Sequence, residues 1–367
     1  MNVCLLSPYQ PQTGGVPVHT SGLVKSLSRK NKVTVITYGR LGRKGSERIR
    51  VVEVPVPPVR FLRGLCFFMG AVIQLFMLSR KKAFDVVHAE YMLPLGAAAL
   101  FFRKFSGKKP LVVVTAHGSD LLSLGRGWLS GRLVRRVGNS SDRVICVSDY
   151  LAKEAVDLGI HAGKVHVIRN GIGEDALPRS SRASLRKVLG LPENERIITF
   201  VGSLSETKGA DIFVILAFHF HERVQGLRFC LVGGGPDEGS LKRYCSKRGM
   251  KGIVTFVGRK SHQESLRYIK ASDALVIPSR IEGFGLTALE GMRIGVPIAA
   301  SRSGALGEVL GGSSLTDNIP WTLRKILTSK TFRDRMVKEN RKLSMKYSWE
   351  KMANETEKVY RSGGKSA

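Results

Sequence analysis

Residues 278–297 have the sequence Pro278-Ser-Arg-Ile-Glu-Gly-Phe-Gly-Leu-Thr-Ala-Leu-Glu-Gly-Met-Arg-Ile-Gly-Val-Pro297, and this stretch indicates the fold. The apolar run at 274–277 just before it predicts a buried parallel strand, and residues 286–294 predict the helix that follows. A glycine-rich turn therefore lies where a strand gives way to a helix. In open α/β sheets, ligands bind outside the carboxyl ends of the strands, which is where this turn falls.

The turn carries residues suited to a phosphate and to a sugar. Gly283 and Gly285 allow backbone N–H groups to approach an anion at the helix N-terminus. Glu282 lies on the loop, and Glu290, over one turn into the helix, is placed to accept hydrogen bonds from hydroxyl groups. An anion site beside two carboxylates predicts a nucleotide-sugar site.

The stretch resembles the donor site of the retaining glycosyltransferases of family 4, which have the GT-B fold and share this E-x7-E pattern. Two glutamates flanking a helix are more often two solvated side chains. Pro-Ser before the first glutamate, Gly-Phe-Gly after it and Gly-Val-Pro beyond the helix make the resemblance more specific and favour the functional interpretation.

Strand and helix signals alternate along the whole chain, which predicts parallel sheets. We therefore predict an α/β protein with two Rossmann-like, doubly wound domains, 1–178 and 179–347, separated by a polar linker at 177–184. The predicted strands are 3–6, 33–36, 51–54, 84–87, 111–114, 144–147 and 165–168, then 197–201, 229–232, 254–257, 274–277 and 298–300. From Trp321 onward the sequence predicts helices.

The resemblance adds a domain arrangement to this prediction. It implies two domains that face each other across a cleft, with the acceptor bound by the first and the donor by the second. It also implies that a C-terminal helix, at about 348–367, crosses back to complete the first domain.

Further motifs of the second domain match the family's donor site. Residues 200–209 pass from a strand through a glycine turn to a helix, and Lys208, predicted in its first turn, is a point charge suited to a diphosphate. The family usually has arginine where this chain has Ser203, so Lys208 is the more isolated cation. The resemblance also assigns donor contacts to Gly234, Arg259, Gly283, Phe284, Gly285, Leu286 and Glu290.

The first domain contributes three candidate positions. Gly14-Gly15 follows the first strand and resembles the family's glycine pair near donor phosphate and acceptor, although an ordinary tight turn explains it equally well. His117, in Thr115-Ala-His-Gly118, matches the family's catalytic-loop histidine, which contacts the donor sugar. Asp120 is either a second polar residue that lines that site or a helix N-cap.

The resemblance implies retaining transfer of a hexosyl group from a nucleoside diphosphate sugar to an acceptor hydroxyl, for which a lipid-linked or an envelope glycan acceptor is a candidate. Lys208 and the N–H groups of 283–286 would hold the diphosphate, Glu282 the sugar hydroxyls and Glu290 the ribose hydroxyls. His117, Glu282 and Lys208 are the catalytic candidates. Because the chain has no Asp-x-Asp motif, we expect no metal. The resemblance also implies no cofactor, with the nucleoside diphosphate sugar as co-substrate.

The chain has a net charge of +30, shared about equally between its two halves. Nucleic acid, an anionic membrane and anionic substrates are the partners that such a charge suits. Nucleic acid is the weakest of the three, because no zinc-knuckle spacing or ribonucleoprotein-type aromatic motif accompanies the charge. Since the sequence opens directly into a strand and a glycine-rich loop, we expect a cytoplasmic protein.

Residues 61–79 are nearly all apolar and are bounded by Arg60, Arg63 and Arg80-Lys-Lys82. A second apolar stretch, 97–102, precedes four basic residues, Arg103, Lys104, Lys108 and Lys109. A membrane-spanning helix at 61–79 would disrupt the predicted sheet, so we expect either a core helix or one that docks on anionic lipid to reach a lipid-linked acceptor.

One segment departs from the family pattern. After Leu310 the family continues through a glycine turn and an apolar strand, whereas here 311–317 lead almost directly to Trp321, which indicates a shortened segment. Together with Ser203, it keeps open the alternative of a catalytically silent GT-B subunit that binds a partner glycosyltransferase or a lipid intermediate.

Overall fold

The computed structural model describes residues 1–10, 13–38, 45–57 and 59–363, apart from the side chains of Arg60 and Phe61. Residues 364–367, at the end of the predicted C-terminal helix, therefore lie outside the described part. The chain forms two compact units, Met1–Gly171 together with the segment from Tyr347 onward, and Ile172–Lys346. The predicted junction at 178/179 falls seven residues beyond this division, inside the second unit.

The first unit is built on a parallel seven-stranded sheet in the order β3-β2-β1-β4-β5-β6-β7. Its strands are β1 (Asn2–Leu6), β2 (Lys32–Tyr38), β3 (Ile49–Val54), β4 (Val86–Glu90), β5 (Leu111–Ala116), β6 (Arg143–Cys146) and β7 (Val165–Val167). Its helices are α1 (Gly15–Leu27), α2 (Arg60–Lys81), α3 (Ala97–Phe105), α4 (Ser119–Leu122), α5 (Trp128–Ser140), α6 (Asp149–Asp157) and the last helix of the chain, α15 (Trp349–Gly363).

The second unit has a parallel six-stranded sheet in the order β10-β9-β8-β11-β12-β13. Its strands are β8 (Arg196–Val201), β9 (Leu227–Val232), β10 (Val254–Gly258), β11 (Ala274–Ile277), β12 (Ile298–Ser301) and β13 (Leu315–Thr316). Its helices are α7 (Arg182–Leu189), α8 (Ala210–His221), α9 (Glu238–Lys247), α10 (His262–Ala271), α11 (Leu286–Ile294), α12 (Leu306–Val309), α13 (Ile319–Thr328) and α14 (Lys330–Ser344).

The predicted fold class is confirmed, because both sheets are parallel and doubly wound. Each predicted strand overlaps a strand of the structure, since a strand covered by helices on both faces is apolar along its length, but β4 begins at Val86 rather than at residue 84. In the first sheet β1 lies between β2 and β4, and in the second sheet β8 lies between β9 and β11, so the strand order reverses its direction at β1 and at β8. This reversal, β1 beside β4 and β8 beside β11, is the position where open α/β sheets bind ligands.

The C-terminal helix α15 packs on α1 in the first unit. A Cβ on Gly22 of α1 would lie 2.3 Å from the ring of Trp349, so only glycine allows this close approach. Met352, Val359 and Tyr360 of α15 are buried in the same core as strands β1 and β2. The return of the C-terminal segment to the first unit agrees with the arrangement that the resemblance implied.

Two local predictions need correction, and a third agrees with the structure. The predicted linker at 177–184 is partly helical, because the Ser181 hydroxyl accepts the Ser184 N–H and caps α7. The segment after Leu310 is short, as predicted, and its strand β13 has only two residues, paired with Ala300 and Ser301. Helix α13 begins at Ile319 rather than Trp321, because the Asn318 side chain caps it.

Helix α2 has one buried face and one exposed face. By length and composition alone it is the one described helix that could cross a membrane. Phe67, Ala71 and Leu75 are buried, and a Cβ on Gly70 would lie 2.2 Å from the Val54 side chain, so this face packs closely on the sheet. This buried face agrees with the core-helix alternative. Its outer face bears a continuous apolar stripe of Leu62, Leu65, Met69, Ile73 and Met77, which are 41–62% exposed.

Candidate functional site

The loops that follow β8 and β11 lie side by side at the switch point of the second sheet. The N–H groups of Arg280 and Ile281 donate to the carbonyl oxygen of Thr207, at 2.9 and 3.3 Å. The Arg280 guanidinium also binds both carboxylate oxygens of Asp211 at 2.7 Å, which joins the β11 loop to the start of α8. These contacts fix the two loops against each other.

Two glycines make this close approach possible. Gly209 has a φ of +70°, and a Cβ there would lie 2.0 Å from the Pro278 carbonyl oxygen. Gly304 has a φ of +52°, and its Cβ would lie 2.2 Å from the Glu282 carbonyl oxygen. Left-handed backbone and missing space together require glycine at both positions. The segment from Pro278 to Glu282 is thus in close backbone contact with Gly209 at its start and with Gly304 at its end.

Lys208 and Glu282 form an ion pair in the space between these loops. The Lys208 ammonium donates to both carboxylate oxygens of Glu282 at 2.8 Å, and the Ser279 hydroxyl donates to one of them at 3.2 Å. Lys208 thus has an anionic partner, Glu282, that the sequence did not predict. It also precedes helix α8 rather than lying in its first turn, since Glu206–Lys208 form a separate turn of 3₁₀-helix.

Glu290 lies on α11 and is buried, with 7% of its surface exposed. The carboxylate is held by His262 Nε2 at 2.7 Å, a contact that sequence reasoning missed. Ser261 and Glu264 form a capping box that starts α10 at His262. The S-x-x-E spacing could have located this helix start in the sequence. Only the folded sheet, however, brings α10 next to α11.

The predicted turn residues surround the start of α11. Gly285 has a φ of +98° and precedes the first helical residue, Leu286. Gly283 and Phe284 are buried beside it. The first N–H groups of any helix lack intrahelical acceptors, so the start of α11 provides donors for an anion close to Glu282.

The loops after β8, β9 and β10 bring the remaining predicted donor residues together. A Cβ on Gly233 would lie 1.8 Å from the Gly202 carbonyl oxygen, so the first two loops touch backbone to backbone. Gly234 packs on the side chain of Arg259, where a Cβ would lie 2.9 Å from Cγ. Ser203 is exposed on the same set of loops. The structure thus gathers every predicted donor residue of this unit along one sheet edge.

The first unit carries a second cluster, at the switch point between β1 and β4. Glu90 ends β4 and is fully buried, and its carboxylate accepts from His117 Nε2 at 2.8 Å. His19 of α1 lies on the other oxygen, with Nε2 at 3.4 Å, and its Nδ1 contacts Asn170 Oδ1 at 2.7 Å. The ring of His19 meets that of His117 edge to face at 4.7 Å. Neither Glu90 nor His19 was predicted from the sequence.

The charges of this cluster are coupled. Burial opposes the charge on Glu90, but the charge of His19 and the hydrogen bonds from His117 and His19 outweigh it, so its pKa is well below the usual value. Burial lowers the pKa of His19, yet the carboxylate of Glu90 outweighs this and raises it. Burial lowers the pKa of His88, the next neighbour, to about 4. A neutral His88 therefore lies beside a charged Glu90.

His19, Glu90 and His117 also have the ligand types of a metal site, with candidate ligand atoms within 4.8 Å of one another. One oxygen of Glu90 bonds directly to His117 Nε2 at 2.8 Å, whereas its other oxygen and His19 Nε2 lie 3.4 Å apart, and neither of these two buried atoms has a hydrogen-bond partner among the described residues. The expectation that no metal takes part stays a prediction.

The loop around His117 is shaped by Asp120 and Tyr91. The Asp120 carboxylate accepts the N–H groups of His117 and Gly118 at 3.2 and 3.0 Å, and it is buried. It is not an N-cap, because Gly118 occupies that position of α4. Burial raises the pKa of Asp120. Tyr91, directly after Glu90, has a φ of 132°, a conformation that costs a non-glycine residue energy and often marks a functional site.

The predicted glycine pair lies on the same switch point. Gly14, with a φ of +125°, precedes α1, and Gly15 is the first residue of that helix. His19 follows one turn later on the buried side of α1. The pair thus starts the helix that delivers His19 to Glu90.

Comparison with protein families accounts for both units. Residues 13–175 match the model of Glycosyltransferase Family 4, and residues 181–343 match that of Glycosyl transferases group 1. The chain belongs to the family 4 glycosyltransferases of the GT-B fold. The predicted family is therefore confirmed.

Relatives and solved structures agree with this family 4 assignment. An uncharacterized glycosyltransferase of Methanocaldococcus jannaschii is 29% identical over 371 residues, covering 98% of each chain. Sucrose-phosphate synthase of Thermosynechococcus elongatus has a TM-score of 0.82 at 21% identity, covering 100% of both chains. Anabaena HepE in complex with UDP and glucose has a TM-score of 0.79 at 17% identity, covering 99% of this glycosyltransferase and 100% of HepE. At these identities the two structural matches concern the fold.

Proposed function

We propose that this glycosyltransferase moves a hexosyl group from a nucleoside diphosphate sugar to an acceptor hydroxyl with retention of configuration and without a metal. The observation that carries the proposal is the group of loops at the β8–β11 switch point. It combines the Lys208–Glu282 pair, the buried Glu290 and the start of α11. A cation, helix N–H groups and two carboxylates match a diphosphate joined to polyhydroxylated groups.

The proposed reaction assigns each of these groups a task. The bond between the anomeric carbon and the leaving diphosphate breaks, and Lys208 and the first N–H groups of α11 stabilise the charge that develops on the diphosphate. Glu282 accepts hydrogen bonds from the sugar hydroxyls, and Glu290, oriented by His262, accepts those of the ribose. The acceptor oxygen bonds to the anomeric carbon on the face that the leaving group vacates, and its proton passes to a leaving phosphate oxygen.

We propose that the cluster of Glu90, His19 and His117 in the first unit serves to bind the donor sugar. Glu90 holds His117 through Nε2, which fixes the orientation of the imidazole and leaves Nδ1 as the second polar atom of the ring. The family resemblance assigns the imidazole a contact with the donor sugar, and Gly14 and Gly15 a place near the phosphate and the acceptor.

The direct test is donor consumption by the purified protein across UDP-, GDP- and ADP-sugars, alone and with vesicles that contain bacterial or archaeal polar lipids. Release of one nucleoside diphosphate, and a product whose anomeric configuration by NMR equals that of the donor, supports the proposal. An inverted product contradicts retention. Donor binding without turnover under every condition favours the alternative of a catalytically silent GT-B subunit.

We further propose that the acceptor is lipid-linked and that the protein docks on an anionic membrane through α2. The exposed stripe Leu62, Leu65, Met69, Ile73 and Met77 recurs every three or four residues along four turns of the helix, so it forms one apolar face. Arg80, Lys81 and Lys82 follow at the end of the helix, where they are exposed. An apolar face with basic flanks is typical of helices that lie in the membrane interface.

Flotation with vesicles tests this docking. The variant Met69→Gln/Ile73→Gln should bind anionic vesicles at least tenfold more weakly, since burying each side chain contributes about 1.5–3 kcal/mol. Val188→Gln/Ile215→Gln, which removes two exposed apolar side chains of the second unit, is the control and should bind as wild type does. Equal binding of both variants, or binding that does not depend on lipid charge and salt, would contradict docking through α2 and would make α2 a core helix only.

A further inference from the structure

A second exposed apolar face lies on α5, a helix whose outer surface the sequence did not single out. Trp128 is 75% exposed, Leu129 61% and Leu133 45%, although all three belong to residue types that usually pack inside. Residues 128 and 132, and residues 129 and 133, are four apart and form two adjacent rows on one side of the helix. Leu124, in the turn just before the helix, is 40% exposed as well.

The opposite side of α5 packs on the unit and cannot turn outward. Val134 and Val137 are buried, and a Cβ on Gly138 would lie 2.6 Å from Ile160. A Cβ on Gly131 would lie 2.3 Å from the Gly125 carbonyl oxygen, which fixes the helix against the preceding turn. The exposed face of α5 is therefore a fixed feature of the fold.

Three arginines accompany this face, and α5 has no acidic residue. Arg132, Arg135 and Arg136 are exposed, and within the described part of the chain none of them forms an ion pair. The Arg132 guanidinium lies 4.2 Å from the centre of the Trp128 ring, so a cation and an aromatic ring occupy one spot on the surface. Tryptophan and arginine side by side suit the headgroup level of an anionic bilayer.

The topology places α5 in the same layer as α2. The chain passes from β3 to β4, β5 and β6 in one direction across the sheet. Right-handed crossovers therefore put α2, α3 and α5 on one face, and α1 on the other. Side-chain contacts agree with this layer: the rings of Phe68 on α2 and Phe101 on α3 meet at 6.1 Å.

Helix α3 joins the two apolar faces. Its Phe101 and Phe105 are 45% and 58% exposed. Arg103 of α3 bonds the Ser140 carbonyl oxygen at the end of α5 at 2.7 Å, so α3 lies between α2 and α5. The outer side of this layer is thus a basic and apolar surface across three adjacent helices.

We propose that α5 is a second membrane contact, which inserts Trp128, Leu129 and Leu133 at the interface of an anionic bilayer with its arginines at the phosphates. The inference rests on the proposed docking through α2 and extends it to the α2–α3–α5 face. Because the chain passes directly from His117 through α4 to α5, contact at α5 holds the His117 loop near the bilayer surface. A lipid-linked acceptor would then meet the site without leaving the membrane.

The fluorescence of Trp128 tests this contact directly. The chain has three tryptophans, and Trp321→Phe removes the exposed one of the second unit. Trp349 stays because it packs on Gly22, and its emission is subtracted with the spectrum of Trp128→Phe/Trp321→Phe. With vesicles that contain phosphatidylglycerol, we expect the Trp128 emission to shift to the blue and to be quenched by lipids brominated near the headgroup. Neutral phosphatidylcholine vesicles should give neither effect.

The outcomes separate this inference from the docking on which it rests. Protein that floats with anionic vesicles while Trp128 stays unquenched overturns the α5 contact and leaves docking through α2. Protein that does not float overturns both. A blue shift that depends on protein concentration without lipid assigns the face to a second copy of the chain and overturns the membrane contact.

The arginines give an independent readout. Arg132→Gln and Arg136→Gln should each weaken binding to anionic vesicles about fivefold at low salt. Arg324→Gln, on the exposed side of α13 in the second unit, is the matched control and should leave binding unchanged. An equal effect of all three variants would indicate attraction by net charge alone and overturn a specific contact at α5.

Discussion

Removing the Lys208–Glu282 pair should cost the protein far more catalysis than stability. At the observed N–O distances of 2.8 Å, Coulomb's law gives about 6 kcal/mol at an effective dielectric constant of about 20. The Lys208 side chain is 33% exposed and that of Glu282 14%, however, so solvent screening and desolvation reduce the net value to about 1 kcal/mol or less. Lys208→Ala and Glu282→Ala should therefore fold, with Tm within about 2–4 °C of wild type.

Turnover should respond much more strongly than stability. Losing a group that stabilises the transition state costs about 2–4 kcal/mol, which is a loss of about 30- to 1,000-fold in kcat/KM for each single variant. Because the two groups act on one leaving diphosphate and its sugar, the double variant should lose less than the product of the two single losses. Steady-state rates of nucleoside diphosphate release with the matching donor measure all three variants.

A control pair separates the site from general electrostatics. Lys330 and Asp334 form an exposed ion pair of 2.7 Å on α14, and Lys330→Ala/Asp334→Ala should keep wild-type turnover. Near-normal turnover of Glu282→Ala, or losses that multiply fully in the double variant, would refute the reasoning.

Three further experiments test the surroundings of the two clusters. Glu290→Ala should raise the donor Kd about 10- to 100-fold, because a charged hydrogen bond contributes about 1.5–3 kcal/mol. His262→Ala should raise the donor Kd less, because His262 acts through Glu290. Calorimetric titration measures both Kd values, and equal effects would contradict the assignment. The raised pKa of His19 stabilises the fold below its unfolded value of about 6.5, and this stability is lost as the pH rises through the folded value. Glu90→Gln should abolish this loss of stability with rising pH. An unchanged pH dependence of Tm above pH 6.5 in that variant would contradict the pairing of His19 with Glu90. Gly304→Ala should destabilise the protein by at least about 1–2 kcal/mol and impair turnover, because φ is positive and its Cβ would meet the Glu282 carbonyl oxygen. Gly312→Ala, with open space around it, is its control in thermal unfolding.

Sequence reasoning was strongest where one local pattern determined both structure and chemistry. Apolar runs predicted the strands, because strands buried on both faces need no alternation. The turn before α11 placed Glu282 and Glu290 correctly, since strand, glycine turn and helix are all encoded within residues 274–294. Helix α2 was recognised as apolar, but its division into a buried and an exposed face required the position of the sheet.

The residues that were missed come from elements far apart in the sequence. Glu90 ends β4, His19 lies in α1 and His117 follows β5, so their contact depends on β1 lying beside β4 and β4 beside β5. A carboxylate at the end of an apolar strand was the available signal for Glu90. Similarly, the partner of Lys208 could not be predicted, because β8 and β11 become neighbours only through the strand order.

Hydrogen exchange with and without a nucleoside diphosphate sugar tests most directly where the donor binds. We predict that the matching donor slows amide exchange at 203–209, 233–235 and 283–289, the loops that meet at the β8–β11 switch point. Glu290→Ala at the same donor concentration should reduce this protection, and Lys330→Ala should not. Donor-dependent protection confined to other segments, with these three loops exchanging as in the free protein, would contradict the central claim that they hold the donor.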